Sequence, residues 1–213
     1  MGYVCERMYL NNRARLQCNL IKPSRKGGLQ MSVEKHNIYP DCKTIVRTVE
    51  IGGLKKSQLL GKLQQHSISM NKLGKKLFDD DKFTISEKVY SMRTVELKVR
   101  DLGLPEGATI PQVYKKANQV GLKLCPLELG PYLRLKYLDQ PEGYLGKPSW
   151  RNRSPYGAVK IASEILSEDV DFPKGFYLRR IEGVLWLRGY IADDLHVLDP
   201  DDHIIFCQNE TLK

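Results

Sequence analysis

The 213-residue chain lacks the features that usually announce a function. No apolar run approaches the ~18 residues of a membrane-spanning helix, and Glu6, Arg7 and Arg13 break any apolar core of a secretory signal, so the expected address is the cytoplasm of a bacterial-type cell, with no membrane partner. The five cysteines, Cys5, Cys18, Cys42, Cys125 and Cys207, are odd in number, irregularly spaced and contain no C-x-x-C pair, which argues against a disulfide framework. The four histidines, His36, His66, His196 and His203, have no Cys or His at the two-to-five-residue spacing of a structural zinc site. Gly27-Gly28 and Gly52-Gly53 do not have the spacing of a phosphate-cradling loop, and no G-x-S-x-G elbow is present. No cofactor and no metal is implied. Disorder is excluded as well, because 41% hydrophobic residues suffice for a real core.

What is present is positive charge: 34 Lys plus Arg against 25 Asp plus Glu, a formal net charge of +9. It is unevenly placed. Residues 1–100 carry 20 basic and 9 acidic residues, whereas residues 101–213 carry 14 and 16. Clustered Lys and Arg release counterions from a phosphate backbone and steer encounter with it, so the front half suggests an anionic partner, either nucleic acid or an acidic protein. A charged face that serves only solubility has the same composition.

Residues 1–43 show little periodicity and read as short elements or an arm. Residues 44–51 (TIVRTVEI) read as a strand closed by Gly52-Gly53. In KKSQLLGKLQQ, Leu59, Leu60 and Leu63 share a helix face, with Lys55, Lys56 and Lys62 outside it. Ser69 is then a candidate cap for a second helix, with Met70, Leu73 and Leu77 inward and Lys72, Lys75 and Lys76 outward, ending near Phe78. Two short basic helices have the outline of a helix-turn-helix, in which Asn71 and Lys72 would be the base readers; an ordinary helical hairpin has that outline too.

Residues 91–100 (SMRTVELKVR) alternate, with Val95, Leu97 and Val99 on one side and Thr94, Glu96, Lys98 and Arg100 on the other, as in a half-buried strand. Thr109 and Gln112 form a capping box for a helix with Ile110, Val113, Ala117 and Val120 on one face, stopped by Gly121. The alternation of residues 133–138 (LRLKYL) predicts another strand, with Leu133, Leu135 and Tyr137 inward and Arg134 and Lys136 outward.

The strongest local signal is a hairpin. GFYLRRI and VLWLRGYI are separated by Glu182-Gly183, the length of a two-residue turn. That length sets Ile181 opposite Val184, Arg179 opposite Trp186 and Tyr177 opposite Arg188 on one face, leaving Phe176, Leu178, Leu185 and Leu187 for the core. Arginines interleaved with aromatic rings suit stacking on unpaired bases, and equally suit cross-strand cation–π pairing inside the fold.

Residues 101–143, DLGLPEGATIPQVYKKANQVGLKLCPLELGPYLRLKYLDQPEG, resemble a family of uncharacterised bacterial proteins sharing an LG-x3-GAT / GLxLCPxExGPxLRLxYxDQP pattern. The similarity extends loosely through WLRGY and LDPDDHIIF, over roughly the C-terminal half. The resemblance carries no known activity and no catalytic residue. Its polar residues Glu128, Arg134, Asp139 and Gln140 are those a stopping turn does not obviously require.

The fold expected is α+β: a mostly antiparallel sheet with a capped helix, plus a basic N-terminal part containing a helical hairpin. The expected division is a region 1–90 and a domain 91–213 ending in a β-meander. The leading functional reading is a non-enzymatic protein contacting nucleic acid through Lys55, Lys56, Lys62, Lys72, Lys75 and Lys76, with Tyr177, Arg179, Trp186 and Arg188 as a second surface. One alternative is a regulatory or inhibitory protein docking on an acidic protein partner. Another is a small hydrolase using His196, His203 and the late aspartates, or acid/base pairs such as Glu128 with Asp139 or Asp194 with His196. Cys125, just before Pro126, is the thiol best placed for reactivity, and its small apolar side chain also suits a core. The sequence leaves the oligomeric state open.

Overall fold

The structure, a computed structural model, describes residues 43–144 and 154–208, all within one unit spanning 36–213. The elements or arm expected over residues 1–43 lie, apart from Lys43, outside the described residues, as do Cys5, Cys18, Cys42, His36 and Gly27-Gly28.

The β-branched run forms β1 (Ile45–Ile51). Gly52 and Gly53 end it at φ +88° and +75°, a backbone that a Cβ would strain. Leu59 and Leu63 then bury one face of α1 (Lys56–Gln65). Ser69 caps nothing: Ser69 and Met70 form a two-residue strand, β2, and Asn71 caps α2 (Lys72–Asp79) by accepting from the Gly74 N–H at 2.8 Å. Met70 is therefore a strand residue, and a strand of the sheet lies between the two basic helices.

β3 (Tyr90–Lys98) runs into a 3-10 turn at Val99–Leu102. Beyond β4 (Ala108–Thr109), the Thr109/Gln112 capping box starts α3 (Ile110–Gln119) as expected, and Gly121 (φ +80°) turns the chain into β5 (Leu122–Lys123). The strand expected over residues 133–138 is instead part of a helix, α4 (Leu129–Lys136). Leu129 and Leu133 follow the i, i+4 spacing, and Pro131 sits in the first turn, where its missing N–H costs nothing. Arg134, expected outward, has 0% exposure. It is tolerated because its guanidinium donates to the Gln140 side chain and the Tyr137 carbonyl.

The remaining strands are β6 (Val159–Ile161), β7 (Gly175–Ile181), β8 (Val184–Tyr190), β9 (Val197–Leu198) and β10 (His203–Gln208). Among the described residues the main sheet has the order β1-β3-β10-β6-β7-β8-β2, with β5 also on β10, while β4 and β9 pair separately. Pairing is antiparallel except for β10 with β6 and β2 with β8, so the class is α+β with a mostly antiparallel sheet. The last strand does not extend the hairpin as a meander would. It inserts between β3 and β6. Elements before and after residue 90 thus share one sheet.

Both faces of the sheet are covered. On one, Leu59, Leu63, Leu77, Phe78, Leu129 and Leu133 of the helices pack on Val49, Ile161, Leu178, Leu187 and Ile205. On the other, Val113 and Ala117 of α3 pack on Val95, Leu97, Ile204 and Phe206. Double coverage is why Thr94 and Glu96, expected to face solvent, are buried.

Candidate functional site

The two-residue hairpin holds the expected register: Tyr177 opposite Arg188, Arg179 opposite Trp186 and Ile181 opposite Val184. Glu182 and Gly183 both have positive φ, +53° and +74°, the backbone of a type I′ turn. Glu142 holds that turn, accepting from the Gly183 N–H at 3.1 Å and pairing with Arg180 at 3.2 Å.

Pairing of β6 extends the hairpin face inward. Lys160 lies beside Tyr177 on one side and Ile204 on the other, so a row Ile204, Lys160, Tyr177, Arg188 crosses four strands. Directly opposite residues share a face. α3 covers the Ile204 end; beyond it the face carries Lys160, Arg179 and Arg188 with Tyr177, Trp186 and Tyr190, and no carboxylate among its strand positions. The Arg188 guanidinium lies 5.0 Å from the Trp186 ring centroid and 6.0 Å from that of Tyr177, and the Lys160 ammonium lies 4.4 Å from that of Tyr190.

This face is not an open platform. Tyr177 and Arg179 retain only 8% and 7% exposure, while Trp186 and Arg188 are half-buried. Arg179 donates to the Tyr144 carbonyl at 3.0 Å. The Nε atoms of Arg179 and Arg188 and Nε1 of Trp186 are buried without a hydrogen-bond partner among the described residues.

Lys160 is the most displaced cation of the face. It is 8% exposed and makes no hydrogen bond or ion pair among the described residues. Burial lowers its pKa to about 8, against a weaker opposing pull from Asp202. It lines a cleft of about 170 Å³ with Ser154, Pro155, Ala158, Tyr177, Tyr190, Ile191, His196 and His203. Burial, then the neighbouring ammonium, lowers the His196 pKa. His203 is anchored through Nδ1 to Glu96 at 2.8 Å, and Glu96 also binds Arg47 at 2.6 Å. Against the effect of burial, these two bonds hold the Glu96 carboxyl below its ordinary pKa. Asp202 uses Oδ2 to accept from the Ser154 hydroxyl (2.7 Å) and the Asp199 N–H (3.0 Å), and burial raises its pKa. The Ser154 hydroxyl therefore serves a carboxylate, not an imidazole, and no group of three or more His, Cys, Asp or Glu converges to hold a metal among the described residues.

Of the six lysines expected to meet an anionic partner, all but the half-buried Lys56 are exposed. Lys56 and Lys76 fasten loops, donating to the carbonyls of Asp80 (2.6 Å) and Asp171 (3.2 Å) and lying over the rings of Phe83 and Phe172. Asn71 is no base reader: its amide donates to the Gly189 carbonyl at 3.0 Å while Oδ1 also accepts from the Gly189 N–H at 2.9 Å. That bond pair fixes the start of α2 to β8, the strand that carries Arg188.

The polar residues of the 101–143 pattern mostly hold the fold. Glu128 accepts from the Tyr90 hydroxyl (2.8 Å) and the Ser86 N–H (3.0 Å), Gln140 donates to Gly157 and Leu178 carbonyls, and Asp139 is exposed. Cys125 is buried, and burial pushes its thiol pKa up, which makes it a poor nucleophile.

Sequence reasoning missed Lys160, Ser154 and Tyr190. The one available signal was a single lysine inside the apolar run AVKIA (158–162). Comparison of the chain with protein-family profiles, with curated proteins and with solved structures found no match in any of the three.

Proposed function

We propose that the protein binds single-stranded nucleic acid without catalysing its conversion, on the β6–β7–β8 face of the sheet. The observation that carries this reading is the β6–β7–β8 face: three cations and three aromatic rings at cross-strand positions, with no carboxylate among them. A buried cation that makes no ion pair is costly, and a bound phosphate backbone compensates it. Trp186 and Arg188, half-buried, supply the stacking and charge contact, and Tyr177 and Arg179 support them from beneath. The exposed Lys72 and Lys75 of α2, whose start is bonded to β8, add longer-range, sequence-independent attraction to phosphate.

Fluorescence anisotropy with a labelled single-stranded oligonucleotide, as DNA and as RNA, tests the reading. Affinity is expected to fall steeply between 50 and 200 mM salt. Each phosphate contact contributes about 0.7 to the log–log slope for a single strand. Arg188→Ala and Trp186→Ala are each expected to weaken binding about tenfold, as base–aromatic stacking and charged contacts do. Salt-independent binding, or full affinity in both variants, contradicts the reading. If no oligonucleotide binds, the acidic protein partner becomes the better account of the same charge.

A further inference from the structure

The cleft beside Lys160 has a chemistry of its own, separate from the Arg188–Trp186 contact. We propose that it is a binding site for a phosphate monoester, with the Lys160 ammonium as its fixed charge and His196 as a second donor.

Four observations support this assignment. First, the Lys160 side chain is more than nine-tenths buried, lines the cleft, and has no hydrogen-bond or ion-pair partner among the described residues. Its Nζ carries three donors and rests on the Tyr190 ring, which stabilises the cation but accepts no conventional hydrogen bond. Second, the neighbouring carboxylate, Asp202, directs Oδ2 to Ser154 and the Asp199 backbone and makes no ion pair with Lys160 among the described residues. The unmet demand is therefore for an anion. Third, the cleft is small. About 170 Å³ is well under the roughly 300–1,000 Å³ of pockets that enclose a drug-sized ligand, so it admits an anionic headgroup and leaves the rest of the molecule outside. Fourth, the two basic groups come from separate elements: Lys160 from β6 and His196 from the connection before β9. Donors arriving from different directions suit the tetrahedrally spread oxygens of phosphate better than a planar carboxylate, which favours a forked guanidinium. Pro155, Ala158 and Ile191 give the apolar rim against which an ester carbon rests.

The monoester has two sources, the phosphorylated end of a nucleic-acid strand lying on the neighbouring face, or a free monophosphate. Tyr177 lies in both the cleft and the face, so the first places a strand terminus at Lys160 and its interior on Arg188. Isothermal titration at constant ionic strength and pH 7 distinguishes them, using inorganic phosphate, a nucleoside 5′-monophosphate, and one oligonucleotide in unphosphorylated, 5′-phosphorylated and 3′-phosphorylated forms. Inorganic phosphate and the monophosphate are expected to bind the wild-type protein, and Lys160→Met to weaken both at least about tenfold, the cost of losing one charged hydrogen bond. Arg188→Ala leaves them unchanged. His196→Asn, which keeps the buried ammonium, is expected to weaken them by a smaller factor and provides the test should Lys160→Met fail to fold.

If a terminal phosphate tightens oligonucleotide binding in the wild type and not in Lys160→Met, the occupant is a strand end. If oligonucleotides do not bind but Lys160-dependent phosphate binding persists, the strand reading falls and the cleft stands as a monophosphate site. Absence of phosphate binding to the wild type, or unchanged binding in both Lys160→Met and His196→Asn, overturns the proposal whatever the oligonucleotides do.

Discussion

Replacing Lys160 with Met should make the ligand-free protein more stable. Met has nearly the length of the lysine stem, so it fills the same space between Tyr190 and Tyr177 without the charge. The lysine pKa is lowered from 10.5 to about 8 by burial. At about 1.4 kcal/mol per pKa unit this corresponds to roughly 3 kcal/mol of penalty for the charged form. The ring contact with Tyr190 offsets about 0.5–2 kcal/mol of what the substitution gains. The expected net gain at pH 7 is about 1–3 kcal/mol, or a rise of about 2–10 °C in Tm for a domain of this size.

The pH dependence supplies the stricter check. Below pH 8 the ammonium is charged in folded and unfolded chains alike, and the penalty is fully present. Between about 8 and 10.5 the folded state has released the proton and the unfolded state has not, so wild-type stability climbs relative to the variant. Asp202, His196, Tyr177 and Tyr190 surround Lys160 in both proteins; the ammonium itself acts on the first two, so the difference between the proteins carries that coupling together with the lysine's own proton release. Urea denaturation of both proteins at pH 7, 8, 9 and 10 measures it. A variant less stable than wild type at pH 7, or a difference that does not shrink as pH rises to 10, refutes the picture of an uncompensated buried ammonium.

Glu182→Asn should stabilise the hairpin by about 0.5–1 kcal/mol in thermal or chemical denaturation, since Asn tolerates the +53° φ better than Glu. Gly189→Ala should cost about 1–3 kcal/mol, because its Cβ would lie 2.6 Å from the Gly74 nitrogen and push α2 off β8; weaker urea resistance, with Lys72 and Lys75 losing their effect on oligonucleotide binding, is the expected result. Arg134→Ala should cost about 3–5 kcal/mol, since it leaves the buried Gln140 side chain and Tyr137 carbonyl without their donor; a cost under about 1 kcal/mol would show that α4 does not depend on this network.

The parts of the fold that were legible in sequence are those specified by neighbours in the chain. The two-residue Glu182-Gly183 loop permits one pairing, so the register of Tyr177, Arg179, Trp186 and Arg188 followed from counting. Thr109 and Gln112 are three residues apart, and their capping box marked the start of α3 correctly. Features set by distant partners were misread. Over six residues LRLKYL alternates like a strand, and only the burial of Arg134 by Gln140 and Tyr137 makes the helix acceptable. Ser69 and Asn71 are both good caps, and Gly189, 118 residues away, decides between them by binding Asn71. Lys160 stands in a three-residue strand, too short for any periodicity, and the groups beside it, Tyr177, Tyr190 and His196, come from three later segments. Half of the candidate site, the hairpin, was visible in advance. The buried ammonium needed the tertiary structure.

The insertion of β10 between β3 and β6 constrains how the chain comes together. A ribosome releases β1 and β3, and later β6, β7 and β8, well before residues 203–208 emerge, yet β10 is the strand through which these two half-sheets hydrogen-bond among the described residues. Until then β3 and β6 each present an unpaired inner edge, the kind of surface that recruits neighbouring chains. Completion of the sheet is therefore a late, long-range closure, and slow synthesis near residue 200 would lengthen the window in which nascent chains need a chaperone.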